Sequence, residues 1–231
     1  MLEEFGPNIW ISDGPIVTAA AGFHYPTRMT VMRLTGGDLM LWSPVAYSND
    51  LHSAVESLGQ IRYLVAPNSL HDSFLGDWRH ACPQAFVFVA PGLRETWSER
   101  SVTGELGKNP IPEWAEDLDI VLVPGNRITT EAVLFHRASR TAIFTDLLQQ
   151  FPRGWFKGWR ALIARLDLMT APEPTVPRKF RMAFTDRVAA RQALQAILAW
   201  PTENVLIAHG PPVTGNGKAF LKRAFSWLIR D

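Results

Sequence analysis

An α/β fold is predicted for this 231-residue chain by three observations. Short β-like apolar runs separated by turn formers fill its first 45 residues, and helix and strand patterns alternate after that. Two amphipathic helices then bracket one last strand near the end. No Gly/Ser linker, internal repeat or low-complexity tract divides the chain. A single domain over 1–231, with an inserted, partly helical segment at 147–186, is the economical architecture.

The elements follow in order. Asn8-Ile9-Trp10-Ile11 is a strand closed by Ser12-Asp13-Gly14-Pro15. Met29–Leu34 and Leu39–Trp42 flank Thr35-Gly36-Gly37-Asp38, whose glycines accept the positive φ of a tight hairpin. Ser48 or Asn49 caps a helix that runs to Leu58 and ends at Gly59. Arg62–Ala66 reads as a buried strand, Leu75–Ala81 as a helix and Ala85–Val89 as a strand. Residues 95–118 read as irregular. Asp119–Val123, Glu131–His136 and Thr141–Thr145 are strands, the last two joined by a turn at Arg137–Arg140. The pairs Trp155/Trp159 and Leu162/Leu166 fit one short helix, which Pro172, Pro174 and Pro177 do not allow to continue. Ala190, Leu194, Ile197 and Leu198 share one helix face, and Phe220, Leu221, Ala224, Phe225 and Leu228 share another. Asn204–Ala208 is the strand between these two helices.

Composition narrows the class. With 47% apolar and 19% charged residues, the chain is neither collagen-like, disulfide-stapled nor disordered. A net charge of +1 gives no reason to expect a nucleic-acid partner. The lone Cys82 cannot form an internal disulfide, so a reducing, cytoplasmic setting is expected. The acidic start, Met1–Pro7, lacks the apolar core of a signal peptide. The most apolar runs, such as Ile16–Phe23, are shorter than the ~18–20 residues a bilayer span needs.

Chemistry concentrates just beyond buried strands. His71 and Asp72 follow the strand ending at Ala66, Asp146 follows Thr145, and His209 follows Ala208. Ligands at the ends of separate strands are how open sheets build sites. These segments carry a resemblance to the metallo-β-lactamase fold superfamily, and within it to a DUF4336-like group with an altered, degenerate metal motif. Where the superfamily has Thr-His-x-His-x-Asp-His, this chain has Ala66-Pro67-Asn68-Ser69-Leu70-His71-Asp72. Arg140–Leu147 resembles the strand ending in the bridging aspartate, matched by Asp146, and Ala208-His209-Gly210 resembles the late histidine. No histidine stands between Pro124 and Glu131, where Asn126 occupies the Pro-Gly-His-like position and Glu131 is the nearest ionisable carboxylate.

The resemblance implies a four-layer αββα sandwich. It also implies a ligand set of His71, Asp72, Asp146 and His209 for at most one divalent ion, with the first metal site unmatched. Nitrogen and oxygen donors suit Zn, Mn or Fe. A hydrolase acting through a metal-bound hydroxide on an ester, phosphoester or amide follows, with Asp146 as ligand or base. The alternative is a non-catalytic binding protein that keeps the fold, with no metal.

Several other residues invite expectations. His136 reads as a core or edge histidine, and His24 and Arg28 sit in a loop able to reach over a site, where Arg28 can clamp an anion. Between Gln149 and Arg191 nine basic residues face three acidic ones, a local charge of +6, with Phe151, Trp155, Phe156 and Trp159 interleaved. Such a segment suits a lid over a small anionic substrate, a solvated basic face, or peripheral membrane contact through 149–181. The sequence does not give an oligomeric state.

Overall fold

The computed structural model describes residues 1–93, 97, 102–108 and 111–229. The chain opens with β1 (Leu2–Gly6) and β2 (Ile9–Asp13), an antiparallel pair. A small hairpin, β3 (Val17–Thr18) and β4 (His24–Tyr25), precedes β5 (Arg28–Arg33) and β6 (Leu39–Trp42). The turn between β5 and β6 closes through Gly37, whose φ is 89° and whose N–H donates to Leu34 O at 2.8 Å. Helix α1 (Asn49–Glu56) begins where Ser48 Oγ accepts from Leu51 N at 3.2 Å. Gly59 follows it at a point where a Cβ would stand 2.5 Å from Gly37 O, so only glycine lets the two turns pack.

Strand β7 (Ile61–Ala66), helix α2 (Leu75–Ala81), β8 (Phe86–Val89) and the short β9 (Gly104–Glu105) complete a seven-stranded sheet. Its spatial order is β1-β2-β5-β6-β7-β8-β9. The second sheet holds β10 (Leu118–Val123), β11 (Glu131–His136), β12 (Thr141–Gln149) and β13 (Asn204–His209), in that order. Helices α3 (Trp159–Leu166), α4 (Arg178–Ala183) and α5 (Arg187–Ala199) lie between β12 and β13, and α6 (Gly217–Phe225) follows β13.

Three buried clusters define the four layers. Met32, Met40, Trp42 and Val65 of the first sheet meet Ala132, Leu134, Ile143 and Leu206 of the second. On the other face of the first sheet, Val31, Leu41 and Leu64 pack on Val55 of α1 and Trp78 of α2. On the other face of the second, Val133, Phe144 and Ile207 pack on Leu194, Phe220 and Phe225 of the late helices. Burial on both faces explains why β6 reads as an unbroken apolar run instead of alternating, and β12 is likewise buried along its whole length. The αββα sandwich is therefore present.

Departures from the expected elements are local. β1 was not anticipated: its Leu-Glu-Glu-Phe sequence carries no β-branched run, and pairing with β2 sets its conformation. β12 continues past Thr145 to Gln149. α3 starts at Trp159 and not at Trp155, because Gly158 sits at φ 56° just before it. The expected irregular stretch at 95–118 lies partly outside the described residues; within them are β9 and a short 3-10 turn at Pro112–Trp114. Among the described residues, no helix is long and apolar enough to cross a membrane.

His136 is a core residue with a pH consequence. Ser139 Oγ donates to Thr141 Oγ1 at 2.8 Å, so it must accept from His136 Nδ1–H at 2.7 Å. Among the described residues, the ring's Nε2 is buried without a partner. Burial holds the pKa down at about 4, against an ordinary 6.5. The unfolded chain thus takes up this proton first, and the neutral ring's contribution is complete above pH 6.5 and lost as pH falls toward 4. At about 1.4 kcal/mol per pH unit, roughly 3 kcal/mol is at stake. Glu131, with its pKa near 7, contributes a slope of opposite sign in the same window, so the check is a difference: as pH falls from 6.5 toward 4, urea melts should show the native chain losing roughly 3 kcal/mol more than His136→Gln.

Candidate metal centre

His71 hangs from the loop after β7, Asp146 lies within β12, and His209 ends β13. Three buried side chains from two sheets meet here. His71 Nε2 stands 3.2 Å from Asp146 Oδ2, His209 Nε2 stands 3.3 Å from Asp146 Oδ1, and the two Nε2 atoms are 3.2 Å apart. Among the described residues this is the group of His, Cys, Asp and Glu whose donor atoms converge closely enough to hold an ion.

Partners outside the group orient each donor. His209 Nδ1 faces Pro26 O at 2.8 Å, and a carbonyl only accepts, so Nδ1 carries the proton and a neutral His209 aims a bare Nε2 inward. Tyr25 and Phe151 pack on its ring. Ser43 Oγ lies 2.7 Å from His71 Nδ1, and Ser43 holds a left-handed backbone, φ 55°, to put it there. Asn68, fully buried, donates from Nδ2 to Asp146 Oδ2 and to Thr145 Oγ1, both at 2.9 Å. Its Oδ1 accepts from Leu70 N at 2.7 Å, which turns the loop so that His71 points inward.

Asp146 sits where β12 departs from regular pairing. The β12–β13 register jumps from Phe144↔Ile207 to Gln149↔His209, leaving extra residues on β12. The N–H groups of Thr145, Asp146 and Leu147 all donate to the Glu131 carboxylate, each at 2.8 Å. Glu131 therefore replaces the missing ladder and sets the backbone that aims Asp146. Burial and the neighbouring Asp146 charge push its pKa up to about 7, against the pull of the three donors.

Electrostatics bind the group together. Burial disfavours charge on His71, yet the adjacent Asp146 carboxylate outweighs it and raises the imidazole pKa. Burial would likewise raise the pKa of Asp146, and the facing His71 instead holds it well below the usual carboxylate range. A buried carboxylate between two imidazoles needs a cation, supplied either by a proton or by a metal. The donors stand close enough to share one ion: taking one atom from each residue, all lie within 4.8 Å of one another. Two imidazole nitrogens and one carboxylate are also a common donor set for catalytic zinc.

The expected set of four shrinks to three. Asp72 lies outside the group; its Oδ2 accepts from Trp97 Nε1 at 3.0 Å, so it points toward the segment after β8. Arg28 is not free to clamp a ligand either. It pairs with Asp13 at 2.7 Å and donates to Ile207 O and Gly210 O at 2.8 and 2.7 Å. The β3–β4 hairpin does reach the site: Val17, Thr18 and Tyr25 line a cavity of about 370 Å³ above the group. His24 is exposed and bonds to Thr18 Oγ1 at 3.1 Å. Glu131, Asn68 and Ser43 were not foreseen as supports. The signal for Asn68 was its place two residues before Leu70, the spacing of an Asx turn.

The family model described as "Domain of unknown function (DUF4336)" matches residues 8–157. This chain belongs to the DUF4336 family. The matched span contains His71 and Asp146, and His209 lies beyond it. Solved structures place the DUF4336 chain in the metallo-β-lactamase fold. A metallo-β-lactamase from Hirschia baltica is 14% identical, with TM-score 0.63, over 99% of this chain and 96% of that one. One from Pontibacter korlensis is 14% identical, with TM-score 0.62, over 100% and 99%. The metallo-β-lactamase FIM-1 from Pseudomonas aeruginosa, in a mono-zinc form, is 12% identical, with TM-score 0.64, over 99% and 94%. No curated protein sequence matches this chain.

In this DUF4336 chain, the positions matching the superfamily's leading histidines hold structural contacts. Pro67 O accepts from Ala132 N at 2.8 Å, and Ser69 Oγ lies 3.0 Å from Thr129 Oγ1. Asn126 Nδ2 donates to Phe180 O at 3.0 Å. These contacts stitch the loops around the centre to one another.

Proposed function

We propose that His71, Asp146 and His209 hold one divalent ion and that this centre hydrolyses an ester, phosphoester or amide of a small anionic substrate. The observation that carries this reading is the convergence of three buried donors, one atom from each within 4.8 Å of the others, beneath an open cavity. The contacts made by Pro67, Ser69 and Asn126 support a single ion over a pair. A bound ion supplies a Lewis acid that polarises the scissile group and makes water more acidic. Zn, Mn and Fe all suit the donors.

The chain's own residues have separable tasks. Asp146 Oδ1, which faces His209 Nε2 at 3.3 Å and accepts from Gln149 Nε2 at 3.4 Å, is the carboxylate oxygen placed to take a proton from attacking water. Lys179 lines the cavity with its ammonium 2.9 Å from Tyr25 Oη, a charge suited to an anionic group on the substrate. Gln149 is buried beside the site and donates from Nε2 to Asp146 O at 3.1 Å and to Asp146 Oδ1 at 3.4 Å, so it helps to hold the Asp146 carboxylate in place. Leu70, Phe74 and Ile128 form an apolar wall that favours a substrate with a nonpolar portion. The free Cys82 is consistent with a cytoplasmic setting.

Elemental analysis of protein purified without chelator or affinity metal should find about one Zn, Mn or Fe per chain. His209→Ala and Asp146→Asn should lower occupancy at least about tenfold, the scale of losing a site-defining contact. Aryl esters, phosphodiesters and anilides then test turnover. Failure to retain or rebind any of the three metals would overturn the centre. Stoichiometric metal without turnover of any substrate class would favour a binding protein on the same fold.

A further inference from the structure

Helix α3 is built inside out. Trp159, Leu162, Ile163 and Leu166 are 52, 61, 43 and 57% exposed, while its buried residue is Ala164. At 3.6 residues per turn the four large side chains share an arc of about 100°, with Ala161 and Ala164 on the opposite side. The orientation is firmly held. Ala164 packs with Phe151, Phe156 and Met169, and Arg160 Nε donates to Ala21 O at 2.7 Å. The apolar stripe therefore faces solvent because the other face is anchored.

Charge decides what covers it. Arg160 and Arg165 flank the stripe on its two sides, and Arg153 and Lys157 lie in the exposed turn before the helix. Residues 150–166 contain these four cations and no carboxylate. The Arg160 guanidinium lies 4.7 Å from the Trp159 ring centroid, which puts cation and aromatic at one level. A short apolar arc edged by cations and carrying an exposed Trp has the pattern of a helix lying in a headgroup layer. A protein partner or a second copy would need acidic residues opposite this edge.

We infer that α3 and the turn before it dock the protein on an anionic bilayer surface, with Trp159, Leu162, Ile163 and Leu166 entering the acyl boundary. The test is co-sedimentation of the full chain with phosphatidylcholine vesicles, with and without about one third phosphatidylserine, at low and physiological salt. Binding should be at least tenfold tighter to the anionic vesicles and weaken with salt. Lys157→Gln should cost about fivefold, the scale of one interfacial cation. The double variant Leu162→Glu, Ile163→Glu should bind at least tenfold more weakly with an unchanged thermal melt, because both residues are exposed. Lack of binding to anionic vesicles at low salt would overturn the inference, as would binding that the double variant leaves intact. A dimer in sedimentation equilibrium that the double variant splits would overturn it too, by assigning the stripe to a second copy.

Discussion

Replacing Glu131 by alanine is expected to lower the unfolding free energy by about 4 kcal/mol, because three buried N–H groups lose their acceptor and each costs about 1–3 kcal/mol. For a chain of this length that is a fall in Tm of roughly 8–16 °C. The donors of Thr145, Asp146 and Leu147 lie on the irregular stretch of β12, where no neighbouring strand is in register to replace the carboxylate. Glu131→Gln keeps one acceptor oxygen but turns an amide N–H₂ toward an N–H, so its loss should fall between alanine and the native chain. Urea melts of the three proteins measure this directly. A loss under about 1 kcal/mol for Glu131→Ala would mean that the three donors readily find other partners.

The second large effect is metal-linked stability. An ion that binds only the folded chain adds about 2.7 kcal/mol at a hundred times its Kd and about 4.1 kcal/mol at a thousand times. Adding the resident metal to stripped protein should raise Tm by roughly 5–16 °C on that scale, and a chelator should reverse it. Asp146→Asn should abolish the response, since it removes the charge that balances the ion between His71 and His209. Calorimetry at fixed protein concentration with stepped metal provides the check. An equal rise in the variant would place the ion elsewhere.

The layers were legible because they rest on local signals. Gly36-Gly37 announced the hairpin, Ser48 the start of α1, and the spacing of Phe220, Leu221 and Ala224 the buried face of α6. Three of the four proposed ligands converge for a similar reason: each follows a recognisable apolar run. Asp72 was misplaced because adjacent residues in a loop point in different directions, and only the turn made by Asn68 decides that His71 faces inward. Glu131 was invisible as a support because its acceptors serve backbone atoms 14 to 16 residues away, which leave no trace in side-chain identity. Arg28 illustrates the same limit, since its carbonyl partners lie some 180 residues along the chain.

His71 belongs to a loop of the seven-stranded sheet, whereas Asp146 and His209 belong to the four-stranded one. No fragment carrying one sheet holds all three donors. The centre therefore comes into being only once the two halves have closed on each other, after the rate-limiting step if that closure is late. In that case an ion captured there would act as a clasp, retarding the opening of the finished molecule without hastening its assembly.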